Sequence, residues 1–226
     1  MHEIHKKISM TQKSVQKILS LSDREDETLK IIAVSKKKSI ELISQALEAG
    51  ILNFGENYLQ ESIEKINFFK NSKIIWHFIG SIQSNKCKQI AENFDWVHTV
   101  DRIKTAKLLS KFCPAGKEIN ILIQVNIDSE ETKSGISEDR LLDIAMEIDS
   151  LPNLNLKGIM VIPENKGNEY DLSESFKKTF LLSKKLMIKF ETAGEISMGM
   201  SSDYSLAIEN GSTMVRIGTG IFGERN

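Results

Sequence analysis

The sequence predicts an α/β fold: a single (β/α)8 TIM-like barrel with an extra N-terminal helix, one domain over residues 1–226. Three observations predict it. Short runs rich in Ile and Val alternate with longer segments of helical period, the pattern of β/α units feeding a parallel sheet. The runs number eight, which is the barrel count. The 226 residues suffice for one barrel-sized core and are too few for two such domains.

The predicted strands are Lys30 to Val34, Ile51 to Phe54, Ile74 to Ile79, Trp96 to Thr99, Ile119 to Asn126, Leu156 to Ile162, Ile196 to Met200 and Met214 to Gly218. Between them the helices carry marked ends. Ser39 precedes ELISQALEAG, in which Leu42, Ile43, Ala46 and Leu47 share one face, Glu41 lies in the first turn and Gly50 is placed for a left-handed stop. Asp101 before RIKTAKLLSKF, Ser137 before EDRLLDIAMEI and Asp203 before YSLAIENG repeat the pattern of a capping side chain ahead of an amphipathic stretch, and the last ends at Gly211. The eighth strand leaves no chain for a final helix, so the helical segment from about Glu3 to Leu21 is expected to cover the gap. The polar stretch Pro163 to Asp171 reads as a mobile loop.

Composition narrows the function. Thirty Lys and Arg against 31 Asp and Glu leave no basic footprint beyond Lys36-Lys37-Lys38, which argues against nucleic acid and for small-molecule chemistry. No apolar run approaches a membrane-spanning length, and the chain reads as soluble and cytosolic. Cys87 and Cys113, the only cysteines, lack metal-site spacing and read as reduced structural thiols; no metal is expected.

Working residues of a β/α barrel sit where strands end in C-terminal loops, because the interior is packed. Alternation in IIAVSK puts Ile32, Val34 and Lys36 on one side, so a lysine ends a row aimed into the barrel. Strand two runs into Gly55, Glu56 and Asn57, strand three brings His77, strand five ends at Asn126, strand seven at Ser201, and strand eight carries Arg216, Gly218 and Thr219. Singly these have plain readings: a core histidine, helix-capping residues, a solvated lysine run. Arg216 needs an anion, an acceptor or water, since an unpaired buried guanidinium carries a penalty of several kcal/mol. The turns GTG after strand eight and MGMSS after strand seven fit the phosphate cradle of this fold. A phosphate cradle beside a lysine, brought together because strands one and eight close the barrel, suggests a phosphorylated aldehyde held as a Schiff base.

The segments IIAVSKKKS, NFGENYLQE, WHFIGSIQSNK, QVNIDSEETKSG, KGIMVIP, SMGMSSD and GSTMVRIGTGIFGER resemble, in order and spacing, the pyridoxal phosphate homeostasis protein family. Members of that family look like the barrel domain of bacterial alanine racemase without its second domain. The resemblance implies that pyridoxal 5′-phosphate is the cofactor, Lys36 the Schiff-base lysine, and Arg216 the partner of the pyridine nitrogen. It places Ser201, Gly218 and Thr219 around the phosphate, with Asn57, His77, Met160 and Met198 lining the pocket. Two departures are Ser39, where many relatives have proline, and Ser202, where an acidic residue is common.

The expected role is a non-catalytic carrier or buffer of the cofactor, handing it to apo-enzymes. A guanidinium only donates, so the facing ring nitrogen accepts and stays unprotonated, which weakens the electron sink that catalysis needs. The tyrosine base that alanine racemases take from their second domain has no counterpart here. Lys37 or Lys38 is a candidate transient acceptor, against the plainer reading of solvated charges. The rivals are an amino-acid racemase working with His77 as base and a phosphosugar-binding barrel. With no partner domain in sight, a monomer or weak dimer is expected.

Overall fold

The first seven strands are each followed by a helix that returns the chain, so that the next strand runs parallel to the last. The computed structural model describes residues 3–130, 133–164 and 168–224. Its strands are β1 (Lys30–Val34), β2 (Asn53–Glu56), β3 (Ile75–Phe78), β4 (Trp96–Val100), β5 (Ile119–Gln124), β6 (Leu154–Met160), β7 (Glu195–Met200) and β8 (Met214–Ile217). They pair in parallel in sequence order and close through β1 against β8, giving the predicted eight-stranded barrel.

The helices are α1 (Glu3–Leu21), α2 (Ile40–Glu48), α3 (Leu59–Phe68), α4 (Cys87–Asn93), α5 (Ile103–Phe112), α6 (Leu141–Asp149), α7 (Glu169–Met187), α8 (Tyr204–Glu209) and α9 (Thr219–Phe222). The leading helix α1 packs on α2, α8 and α9, covering the gap as expected. A one-turn helix, α9, does follow β8, where none was predicted. Of the four predicted caps, only Ser39 acts as one, its Oγ accepting from Leu42 N–H at 3.5 Å. The N-cap position of α5 falls one residue beyond Asp101, at Arg102, and Ser137 precedes a 3-10 turn without a side-chain bond. Asp203 turns back to accept from Met200 N–H at 2.5 Å. Strand β5 stops at Gln124 because Asn126 N–H goes to Ile136 O in the following loop. Residues 165–167 of the predicted mobile loop lie outside the described residues.

Period-two alternation divides the apolar side chains into two cores. The larger lies between barrel and helices; the smaller, inside the barrel, comprises Ile32, Trp96, Leu122, Met160 and Met214. One irregularity changes which side chains of β6 face inward. Ile121 pairs with Leu156 but Leu122 pairs with Gly158, so Lys157 is an extra residue on β6. Gly158 has φ +146°, and a Cβ there would sit 1.9 Å from Glu195 O, so only glycine fits. The bulge inverts the alternation: Leu156 packs in the outer core and Met160 in the inner one. Among the described residues no helix is long and apolar enough to cross a membrane, and no cluster of His, Cys, Asp or Glu could hold a metal ion.

Candidate functional site

Lys36 lies half-buried in the turn that leaves β1, at the C-terminal mouth of the barrel. Both flanks of this turn are anchored. Ser35 N–H continues the ladder to Gly55 O at 3.0 Å, while Ser35 Oγ donates to Glu56 Oε1 at 2.6 Å. Lys37 takes the left-handed conformation, φ 58°, and donates its N–H to Glu61 Oε1 at 2.5 Å. Beneath the turn, Lys65 Nζ reaches Ser35 O and Glu56 Oε1 at 2.7 Å each and Glu61 Oε1 at 2.5 Å. Burial pushes the Glu56 carboxyl above the usual carboxylate range, against the pull of Lys65. Lys38 Nζ bonds the carbonyls of Phe222, Gly223 and Glu224 at 3.1 to 3.4 Å, tying the turn to the end of the chain.

Across the β1/β8 seam, Ile32 pairs with Arg216 and Ala33 with Ile217, so the arginine stands on the strand next to the one that delivers Lys36. Arg216 is buried, 5 % exposed, and its demand for acceptors is met inside the protein. Nη1 donates to Ser197 Oγ at 2.7 Å and Nη2 to Val161 O at 3.0 Å. Burial pushes its pKa down to about 10, with Asp203 opposing, so it is a cation at any ordinary pH. Above it, Ser201 Oγ accepts from both Gly218 N–H (3.2 Å) and Gly220 N–H (3.3 Å). Two backbone donors thus converge on one oxygen in the glycine-rich turn, the arrangement that cradles an anion. Thr219, between them, is exposed.

Asn57 follows β2 on the same rim, and its Oδ1 is buried with no hydrogen-bond partner among the described residues, as is Glu56 Oε2. Gly80 lets the turn after β3 press on Asn57: a Cβ there would lie 2.1 Å from Asn57 O. An orphaned acceptor at a barrel mouth calls for a ligand or water donor.

His77 sits deeper than its place near the end of a strand suggested. It is fully buried inside the barrel, stacked on Trp96 (5.6 Å, 16°), with Nε2 on Asn53 Oδ1 at 3.0 Å and Nδ1 on His98 Nε2 at 2.9 Å. Burial, then Lys30, pushes its pKa down to about 3. Met160 lies in the inner core below the mouth, but Met198 packs in the outer one, because Ser197 before it faces inward. The structure therefore brings together Arg216, Ser201, Gly218 and Asn57 with the Lys36 turn, places His77 and Met160 beneath them, and puts Met198 behind the wall. Sequence reasoning missed Asn53, Lys65, His98 and Ser197. Alternation offered a signal for His98, two residues from the inward Trp96; none marked Lys65, whose charge reads as surface.

Residues 13–226 match the family model described as alanine racemase, N-terminal domain, and this sets the class: the barrel half of the alanine racemase type. The chain is 43% identical over 228 residues to the pyridoxal phosphate homeostasis protein of Haemophilus influenzae, covering 99% of this chain and 96% of that one. With its counterpart in Vibrio alginolyticus the identity is 46% over 208 residues, 90% of this chain and 89% of the relative. The chain belongs to the pyridoxal phosphate homeostasis protein family. Among solved structures, PipY of Synechococcus elongatus with PLP bound superposes with a TM-score of 0.80 at 30% identity, covering 93% of this chain and 100% of that chain. An alanine racemase of Clostridium difficile shares the fold, with a TM-score of 0.75 at 13% identity, over 97% of this chain and 60% of that one.

Proposed function

We propose that this protein binds pyridoxal 5′-phosphate through Lys36 and carries or buffers it for apo-enzymes in the cytosol, as a monomer or weak dimer, without turning over a substrate. The observation that carries the reading is Arg216, held by Ser197 and Val161 on the strand beside the Lys36 turn. The names of the relatives, and the PLP bound in PipY, support the choice of cofactor.

The residues present fit that group. When bound, PLP supplies an aldehyde that condenses reversibly with an amine and a ring that can withdraw electrons once its nitrogen is protonated. Lys36 offers the amine at the mouth. Gly218 and Gly220 N–H, with the Ser201 hydroxyl they now hold, offer donors for the phosphate. Asn57 Oδ1 offers an acceptor with no donor among the described residues. Arg216 only donates, so it holds the facing ring nitrogen as an acceptor and keeps a proton off it, which suits storage better than carbanion chemistry. Met160 closes the floor beneath the mouth, and Met198 supports β7 from outside.

The same geometry disfavours the racemase reading that relies on His77. Both its ring nitrogens are engaged, and an imidazole pushed down to about 3 is a poor base near neutrality.

The deciding experiment is the absorbance of the purified protein with added PLP, before and after borohydride, in the wild type and in Lys36→Ala. A yellow wild type fixed by borohydride at Lys36 and a colourless variant are expected. A wild type that stays colourless in excess PLP overturns the proposal. Exchange of amino-acid α-protons at rates near a typical turnover of about 10 per second would instead favour the racemase.

A further inference from the structure

A chain of hydrogen bonds crosses the inside of the barrel from Asn53 on β2 through His77 on β3, His98 on β4 and Ser197 on β7 to Arg216 on β8. His77, His98 and Ser197 are fully buried, so each proton in the chain must be placed on an acceptor within it. The placement is dictated from one end. Arg216 has donors only, so Ser197 Oγ accepts from it at 2.7 Å. The single proton of the Ser197 hydroxyl then goes to His98 Nδ1 at 3.0 Å. With Nδ1 accepting, His98 carries its hydrogen on Nε2 and donates to His77 Nδ1 at 2.9 Å. His77 likewise carries its hydrogen on Nε2 and donates to Asn53 Oδ1 at 3.0 Å.

Adding a proton to either ring would set two donors against each other in a buried site. Burial already pushes His77 down to about 3 and His98 well below the ordinary imidazole range, with Arg216 adding to the effect on His98. The chain accordingly has one proton arrangement through the neutral range. Its far end is rigid, since His77 lies flat on Trp96 and is hydrogen-bonded to Asn53.

We propose that His98 and Ser197 are positioning residues, which through this chain fix the plane of the Arg216 guanidinium and thereby set how it meets the ring nitrogen of the bound cofactor. The positioning role rests on the function proposed above; the proton arrangement does not.

Two measurements separate them. In the protein without cofactor, ¹⁵N NMR of the imidazoles should show His77 and His98 both neutral, with hydrogen on Nε2 and bare Nδ1; hydrogen on Nδ1 of His98, or a charged ring at pH 7, overturns the chain. With PLP, Ser197→Ala should shift the absorbance maximum of the bound cofactor and weaken binding by about tenfold, the worth of one buried hydrogen bond to a charged group, while borohydride still fixes the cofactor to Lys36. His98→Gln, which keeps an acceptor and a donor, should lie nearer the wild type than His98→Phe in both readouts. Wild-type absorbance and affinity in Ser197→Ala would overturn the positioning role. A wild type that takes up no PLP overturns the cofactor reading and the positioning role together, leaving the NMR to decide the proton arrangement by itself.

Discussion

Lys65 has a side chain only 5 % exposed and three oxygens within hydrogen-bond distance, and the carboxylate it meets at 2.7 Å, Glu56, is fully buried. Removing one partner of a buried pair strands the other charge, and here two carboxylates, Glu56 and Glu61, would face each other below the Lys36 turn. Lys65→Met is predicted to lower stability by about 3–5 kcal/mol in denaturant titrations, whereas Ser35→Ala, which removes a single bond to Glu56, should cost about 1–3 kcal/mol. A Lys65→Met protein as stable as the wild type would show that the cluster contributes nothing. The lysine that carries the proposed chemistry was legible from its place at the end of β1. The lysine that secures it was not, because burial of Lys65 follows from how α3 lies on the barrel and leaves no mark in its own segment.

Helix α1 packs beside the closure of β1 on β8. Its buried stripe, Ile4, Ile8, Thr11, Val15 and Ile18, follows helical spacing and packs against α2, α8 and the one-turn α9, whose Ile221 is buried. Since α9 is too short to cover the seam of β1 and β8, α1 is a structural part of the barrel. Ile8, 1 % exposed, is a central contact. Ile8→Ala should destabilise by about 2–5 kcal/mol, as a cavity in a close-packed core does, and the denaturant midpoint reports it. A loss below about 1 kcal/mol would mean that α1 is only loosely applied. Its helical period made this element readable. Caps were read less well: Asp203 bonds backward to Met200, because a loop offers its side chain a competing donor.

For the molecule as a whole, the buried imidazoles make stability depend on pH. His77 and His98 titrate near the ordinary 6.5 when unfolded, but at about 3 and well below 6.5 when folded. Their contribution is fully present above pH 6.5 and is lost as pH falls toward 3, because the unfolded chain takes up protons that the folded one refuses. Glu56 runs the opposite way: its raised carboxyl contributes most below 4.5 and loses that contribution as pH rises through its folded value. With two imidazoles against one carboxyl, the denaturant midpoint is predicted to drop between pH 7.5 and 5, and His98→Gln should flatten the drop. A midpoint constant over that range would mean that the histidines are not buried as neutral groups.

By itself the sequence determined the strand count, the covering helix, and where the residues of the proposed site lie along the chain: Lys36 after β1, the glycine turns after β7 and β8, and Arg216 within β8. Those features depend on periods of two and 3.6 and on turn chemistry, which a short segment carries within itself. Only the tertiary structure decided that the bulge at Lys157 sends Leu156 outward and Met160 inward, and that Asn53, His77, His98, Ser197 and Arg216 form one line of hydrogen bonds. Register and closure belong to all eight strands together, and side chains from five of them meet only once the barrel has shut.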